Sequence, residues 1–434
     1  MGENYIRIEN NFKLQSGFAF PSSAFVDDGI PIVRMSDLKS GRLKFENTKY
    51  VGQGWLKSSA TFSLKEDDFL VGMSGSLSNY AVVRVGDVPA LLNQRVGRLQ
   101  SKSGKQSYEY ACYWLKSIFY ERYAEIQGEG AAQKNISSKQ IEAFKYRWVS
   151  LGEQVKIVKV LQTIDQTIEK TEALIEKYQQ IKAGLMHDLF TRGIGPDDKL
   201  RPPRERAPEL YQKTSIGWIP KEWVLHIASN FITAIDAGKS PECPDIPASA
   251  DQWGVLKVSA VSPDGLRQSE NKVVEKFEHQ NPNYIVKRGD LLITRANTPE
   301  LVGMICYVDL AVGKLILSDK TLRLHTDENR VDKRYLYWAF QHPETRKQIE
   351  ICATGSSGSM KNISQKDIRG LKVALPRSLN EQEMIRLRLD SALQKIGNEK
   401  IAKSKLVQQK SGLMYDLLTG KVQVNPDALK AVHV

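Results

Sequence analysis

Lys134-Asn135-Ile136-Ser137 recurs as Lys361-Asn362-Ile363-Ser364. Behind it, Glu153-Gln154 recurs as Glu381-Gln382, and Gly184-Leu185-Met186-His187-Asp188-Leu189 as Gly412-Leu413-Met414-Tyr415-Asp416-Leu417. The anchors keep nearly the same order and spacing, at an interval of about half the 434-residue chain, so the chain is an internal duplication. Upstream the match loosens. Ile32-Val33-Arg34-Met35-Ser36 lines up with Val255-Leu256-Lys257-Val258-Ser259, and Lys65-Glu66-Asp67-Asp68-Phe69-Leu70 with Lys287-Arg288-Gly289-Asp290-Leu291-Leu292. Each half therefore has a divergent front and a well-matched rear.

The rears read as long helices. Glu153 to Leu189 contains no proline and a single glycine, Gly184. Ile157, Leu161, Ile164, Ile168, Thr171, Ile175, Tyr178, Leu185 and Leu189 fall mostly at alternating spacings of four and three, a heptad seam. The second copy offers Ile385, Leu389, Ala392, Ile396, polar Glu399 and Lys403, then Leu406, Leu413 and Leu417, with Gly397 weakening its middle. Two equivalent long amphipathic helices are expected to pack on each other, and Gly193 and Gly420 to terminate them.

The fronts read as mixed α/β domains. Short β-rich runs (Ala81–Val85, Leu291–Thr294, Met304–Val308, Leu315–Leu317) alternate with turns such as Pro263-Asp264-Gly265. Tyr108–Ala124 and Lys333–Ile351 read as helical stretches. Gly193–Pro208, rich in proline, glycine and charge, reads as a linker to Ile216-Gly217-Trp218-Ile219-Pro220. The fold class is thus α+β: two mixed domains and two long helices.

The 62 Lys and Arg against 50 Asp and Glu, a formal net charge of +12, favour a polyanionic partner, nucleic acid first. No apolar run approaches the roughly 18 residues of a membrane span, and Met1–Tyr5 lacks a signal-peptide layout. Cys112, Cys243, Cys306 and Cys352 are scattered, without CxxC, and read as reduced core thiols of a cytoplasmic protein.

With Ser16-Gly17-Phe18-Ala19-Phe20 at the front and Leu417-Leu418-Thr419-Gly420-Lys421-Val422 at the rear, the ordered repeat resembles the specificity subunits of Type I restriction–modification systems along essentially the whole chain. The resemblance implies two target-recognition domains (1–150 and 206–376) and two helical conserved regions (151–205, including the linker, and 377–434). It also implies that the helices pair as an antiparallel coiled coil with pseudo-twofold symmetry. Such a subunit reads a bipartite target on double-stranded DNA and docks two methyltransferase subunits, with restriction–translocase subunits joining through them. It needs no cofactor or metal of its own. Two departures stand out: Trp148 replaces the proline that Pro376 supplies, and Asp67-Asp68 replaces the turn Gly289-Asp290.

Active-site imitations fail on their residues. Asn281-Pro282-Asn283-Tyr284 lacks the second proline of the NPPY tetrapeptide of amino-methyltransferases and reads as a turn. Gly238-Lys239-Ser240 has Thr233 where a phosphate loop needs its first glycine, and Gly128-Glu129-Gly130 has Gln133 where a dinucleotide loop needs its third. Pro244-Asp245 with Glu270-Asn271-Lys272 fits a permissive nuclease pattern without a clear strand beneath it. The six histidines form no paired set. A non-catalytic DNA-binding subunit is the reading these residues favour. The alternative left open is a self-contained DNA methyltransferase or nuclease with unrecognised motifs. A coiled-coil scaffold without nucleic acid fits the basic charge less well.

DNA reading needs cations for phosphates and guanidinium or amide groups for base edges. Polar loops at strand ends supply Arg34, Ser74, Ser76, Asn79 and Arg95 in the first half. In the second they supply Lys257, Arg295, Asn297 and Lys320. Lys134-Asn135 and Lys361-Asn362 follow small-residue approaches, Gly128–Gln133 and Gly355–Met360, suited to a phosphate. A helix of about 37 residues would span roughly 55 Å, near 16 base pairs, so two short targets flanking an unread spacer are expected.

Overall fold

The computed structural model describes residues 5–39, 41–102, 107–128, 134–357 and 360–424. Much of the first small-residue approach, 129–133, and part of the second, 358–359, lie outside the described residues. The chain forms two compact units, one from 1–172 with 402–434 and one from 173–401. The heptad stretches become two helices of 41 residues each, Leu151–Thr191 and Leu379–Thr419. Each contributes its two parts to different units.

In the first unit, Val96–Ser101 lies between Phe12–Ser16 and Phe69–Gly72, with Tyr80–Val82 beyond, all antiparallel. A second sheet sets Ile30–Val33 parallel to Leu91–Leu92 and antiparallel to Lys49–Val51. Tyr5–Arg7 pairs with Lys145–Arg147, which leads into the long helix. The start of the first long helix and the end of the second share one core. Ile157, Val158 and Leu161 are buried with Met414, Leu417 and Leu418, and Leu413 packs against them.

The second unit repeats the plan. Thr321–Thr326 lies between Ile232–Ala237 and Leu291–Thr294, with Ile305–Tyr307 beyond. Gly254–Leu256 runs parallel to Leu315–Ile316, and Trp223–Ile227 pairs with Lys372–Pro376 ahead of the second helix. Here the end of the first helix (Met186, Leu189, Phe190) shares a core with the start of the second (Ile385, Leu389), and Leu185 is partly buried beside it. The pairing within both units is therefore antiparallel. Ile164 and Ile396 are also buried, and Ile168 is half-buried.

The repeated Glu-Gln has a defined job. Gln154 and Gln382 are fully buried. Gln154 accepts from the backbone N–H of Ser107, the cap of helix Tyr108–Leu115, and donates to the Val149 carbonyl. Gln382 accepts from the N–H of Asp332, the cap of helix Lys333–Gln341, and donates to the carbonyls of Pro376 and Arg330. Where Trp148 replaces proline, the accepting carbonyl moves one residue along and the knot survives.

The preceding glutamates close the helix ends. Gly420, at φ +79°, follows the second helix, and a Cβ there would strike Arg147, whose guanidinium lies 3.2 Å from Glu153. In the second unit Gly193, at φ +64°, sits against Arg201, which lies 2.6 Å from Glu381. Glu381 also accepts from the Trp223 indole and the Ile194 N–H. The stretch expected to be a linker is therefore packed: Ile194 and Arg201 are buried within it.

Two expected helical stretches are each broken in two, as Tyr108–Leu115 with Ile118–Gln127, and Lys333–Gln341 with Pro343–Cys352. Pro343 cannot donate to the preceding turn, and His342 ahead of it is extended at ψ 140°. Of the four free thiols only Cys112 and Cys306 are core residues; burial pushes both up to about 12, while Cys243 and Cys352 are partly exposed.

Candidate nucleic-acid interface

A shared backbone clamp builds the loops that carry the candidate side chains. In the first unit the Met73 N–H donates to the Arg95 carbonyl (3.0 Å), and Ile136 N–H donates to the Met73 carbonyl (3.0 Å). Ser74 bridges to Asn135, and Gly75 N–H donates to the Lys134 carbonyl. In the second unit Arg295 N–H donates to the Lys320 carbonyl (2.8 Å), and Ile363 N–H to the Arg295 carbonyl (2.9 Å). Ala296 and Asn297 pair with Asn362 and Lys361. The Lys-Asn-Ile-Ser repeat is thus the third strand of a clamp that brings residues far apart in sequence to one place. Its serine then starts a helix: Ser137 and Ser364 each form a capping box, with Gln140 and Asp367.

Arg34, Ser74, Asn79 and Arg95 line one recess of about 460 Å³ together with Met35, Ser36, Gly75, Ser76 and Asn93. Lys134 is exposed next to it, and Asn135 lies on the bridging strand. Arg34 is held by the Asn47 carbonyl, with Asp37 3.9 Å away. Asp37 itself is 2% exposed and accepts from the Arg34 N–H, Ser36 and Thr48. Asn79 accepts from Ser76. Arg95 is exposed, and its backbone is fixed by Asn93 and Met73. Met35, Ser36, Gly75 and Asn93 were missed, although Met35 adjoins Arg34 and Gly75 lies between Ser74 and Ser76.

Arg295, Asn297, Lys320, Lys361 and Asn362 meet at the second clamp, but Lys257 is occupied differently. It follows Gly254–Leu256, as Arg34 follows Ile30–Val33, yet its ammonium lies 2.5 Å from the Asp245 carboxylate. Lys272 stands 4.0 Å from the same carboxylate, and these lysines hold the Asp245 acid below its usual range. Glu270 accepts from Ser259 at 2.5 Å. Among the described residues, no group of three or more His, Cys, Asp and Glu side chains is placed to hold a metal. Asn281, in the would-be NPPY string, caps the turn Pro282–Tyr284 by accepting from Asn283 N–H. Gly238 answers a packing need: a Cβ there would collide with the Leu317 carbonyl, as one on Gly17 would with that of Leu92.

In each unit a buried arginine braces the sheet. Arg98 (6% exposed) lies 3.0 Å from Asp68, and Arg323 (7%) 2.9 Å from Asp290. Asp68 and Asp290 also accept from the N–H groups of Lys65 and Lys287, closing the same turn. That turn needs a left-handed residue, and Asp67 (φ +66°) and Gly289 (φ +90°) both supply it. The suspect departure at Asp67-Asp68 therefore leaves the geometry unchanged.

The sequence model for "Type I restriction modification DNA specificity domain" matches this chain twice, over residues 4–180 and 237–409. The chain belongs to this family. It is a Type I restriction–modification specificity subunit with two copies of the domain. Its similarity to the EcoEI specificity subunit of Escherichia coli is 32% identity over 238 residues, 54% of this chain but only 38% of that protein. With the MjaVIII specificity subunit of Methanocaldococcus jannaschii it is 23% over 437 residues, covering 96% and 97%. Among solved structures, the S subunit of a Type I system from M. genitalium shares the fold with a TM-score of 0.58 at 15% identity, covering 96% of both chains. Among the described residues no helix is long and apolar enough to cross a membrane.

Proposed function

We propose that each α/β unit reads one half of a bipartite double-stranded DNA target and that the chain performs no catalysis itself. The supporting observation is convergence: Arg34, Ser74, Asn79 and Arg95, drawn from three loops, share one recess beside Lys134 and Asn135. The equivalent clamp gathers Arg295, Asn297, Lys320, Lys361 and Asn362. These residues supply cations for phosphates and fork or amide donors for base edges. Lys257 enters this reading only with Asp245 as its partner. Residues 1–150 and 206–376 serve as the recognition domains, and 151–205 with 377–434 as the helical regions.

In this reading the chain works in the cytoplasm, two methyltransferase subunits dock on it, and restriction–translocase subunits join through them. Exposed Val155, Val160, Leu387 and Val407 on the long helices support a partner there. The test compares the purified chain with its complex. Alone it should neither methylate nor cleave DNA; with cognate methyltransferase subunits it should direct sequence-specific methylation. Activity of the chain alone that vanished in Asn281→Ala or Glu270→Ala would refute the reading.

A further inference from the structure

We propose that the first unit recognises guanine in its half-target, with Arg95 as the base-reading side chain and Arg34 as its neighbour in the same recess. The inference rests on the DNA-reading role proposed above and adds to it the chemistry of the base.

The recess presents an excess of fixed donors. Arg34 and Arg95 carry only N–H groups, the Ser36 and Ser76 hydroxyls already donate to Asp37 and Asn79, and the Ser74 hydroxyl can turn either way. Among the described residues no carboxylate lines it. The nearest acid on the same loop, Asp37, is buried and already accepts from three groups. A wall of this kind fits a base edge made of acceptors. In the major groove guanine shows two adjacent acceptors, O6 and N7, which a guanidinium fork meets together, whereas cytosine and adenine both place an amine there.

Arg95 is the better placed of the two arginines. The Arg34 fork is engaged by the Asn47 carbonyl, while no ion pair or side-chain hydrogen bond of the Arg95 guanidinium occurs among the described residues. Its main chain is nevertheless rigid. Asn93 N–H donates to Val33 O, Gln94 N–H to Phe18 O, and the Arg95 carbonyl is taken by Met73, so three separate segments fix the loop. The fixed root removes the cost of ordering the loop and the free tip leaves the guanidinium fork available, so only the side-chain rotamers remain to be ordered on binding.

The second unit is built differently at the equivalent place. Lys320 takes the place of Arg95 on the same clamp, and a lysine is a point donor, not a fork. Its guanidinium, Arg295, stands where the first unit has Met73. Carboxylates also enter: Asp319 is bonded to Ser240, and Asp245 to Lys257. The two half-targets should therefore differ in where guanine falls, and Arg95 should act on one of them only.

The experiment uses the full chain assembled with its cognate methyltransferase subunits and selects from a randomised DNA duplex library, read by sequencing, for wild type, Arg95→Lys, Arg95→Gln and Lys320→Gln. Wild type should select a guanine at a position that Arg95→Lys relaxes, with roughly ten- to hundred-fold loss of preference there. Arg95→Gln should move that same position toward adenine, the base a glutamine amide meets. Lys320→Gln should leave it alone. The other half-target, unchanged in the Arg95 variants, reports that the protein is folded. Two outcomes overturn this inference while the DNA-reading role stands: a first half-target insensitive to Arg95, or an Arg95 variant weakened equally on all sequences with a shallower salt dependence, the mark of a phosphate contact. A complex that selects no bipartite sequence overturns both.

Discussion

Asp67 occupies a left-handed backbone conformation (φ +66°) at the turn where the second unit has Gly289. A side chain there costs about 1–2 kcal/mol for most residues and less for Asp. Asp67→Gly should therefore raise the stability of the first unit by about 0.5–1 kcal/mol, less any loss from a freer unfolded chain. Chemical denaturation followed by fluorescence checks it; a loss above about 1 kcal/mol, more than the freer unfolded chain accounts for, would mean that the Asp67 side chain makes a needed contact. His342 carries a second residue-level consequence. Burial first, and His187 second, push it down to about 4 from an ordinary 6.5. The unfolded chain then binds a proton between those values that the folded chain refuses. Stability is full above pH 6.5 and falls as the pH drops toward 4, by at most about 3 kcal/mol. His342 packs against Phe190 with the rings tilted by 37°, and His342→Phe should flatten this part of the acid denaturation profile relative to wild type. An identical profile in the variant would assign the acid loss to carboxylates instead.

At the scale of elements, the long helices were legible down to the glycines Gly193 and Gly420 that end them, and the break in the short helices and the packing behind Gly193 were not. Heptad spacing is local, so Ile157, Leu161, Ile385 and Leu389 could be placed on a seam by counting. The break at Ser117 in the first copy has no proline to announce it, and the packing of Gly193–Pro208 depends on Arg201 meeting Glu381 far along the chain. The recess was legible in its members but not in its assembly. Residue type and strand ends picked out Arg34, Ser74, Asn79 and Arg95, whereas the parallel pairing of Ile30–Val33 with Leu91–Leu92 brings Arg34 to Arg95 and the Met73–Arg95 bond brings Ser74 and Asn79. The same gap hid Asp245, which neutralises Lys257 from another loop. Truncating the seam should be costly: Leu161→Ala or Leu389→Ala should each lose about 2–5 kcal/mol, since both side chains are fully buried. Gln382→Leu should lose about 1–3 kcal/mol by leaving the Asp332 N–H and the Pro376 carbonyl unpaired. Thermal denaturation of the three variants tests this, and a Gln382→Leu protein as stable as wild type would show that the knot is replaceable by packing.

At the scale of the whole molecule, duplication allows one reader to change while the other is kept. Each unit has its own sheets, core, clamp and buried arginine, so replacing 206–376 by the matching segment of a relative should alter one half-target alone. The structure adds a condition on the donor. The cut leaves Arg201 and Glu381 in place but removes Trp223 and Glu222, which bond to Glu381 and Arg201 respectively. It also removes Asp332, whose N–H satisfies buried Gln382. A donor that supplies an indole at the Trp223 position and a helix cap at the Asp332 position should give a stable hybrid. One lacking them should leave Glu381 and Gln382 each short of a hydrogen bond and cost about 1–3 kcal/mol for each, although the Arg201–Glu381 pair itself remains. Methylome sequencing of cells carrying a stable hybrid and the cognate methyltransferase subunits should show the first half-target retained and the second replaced by the donor's. If both half-targets changed together, the two units would not be independent readers, and the duplicated clamp would have to act on one shared sequence.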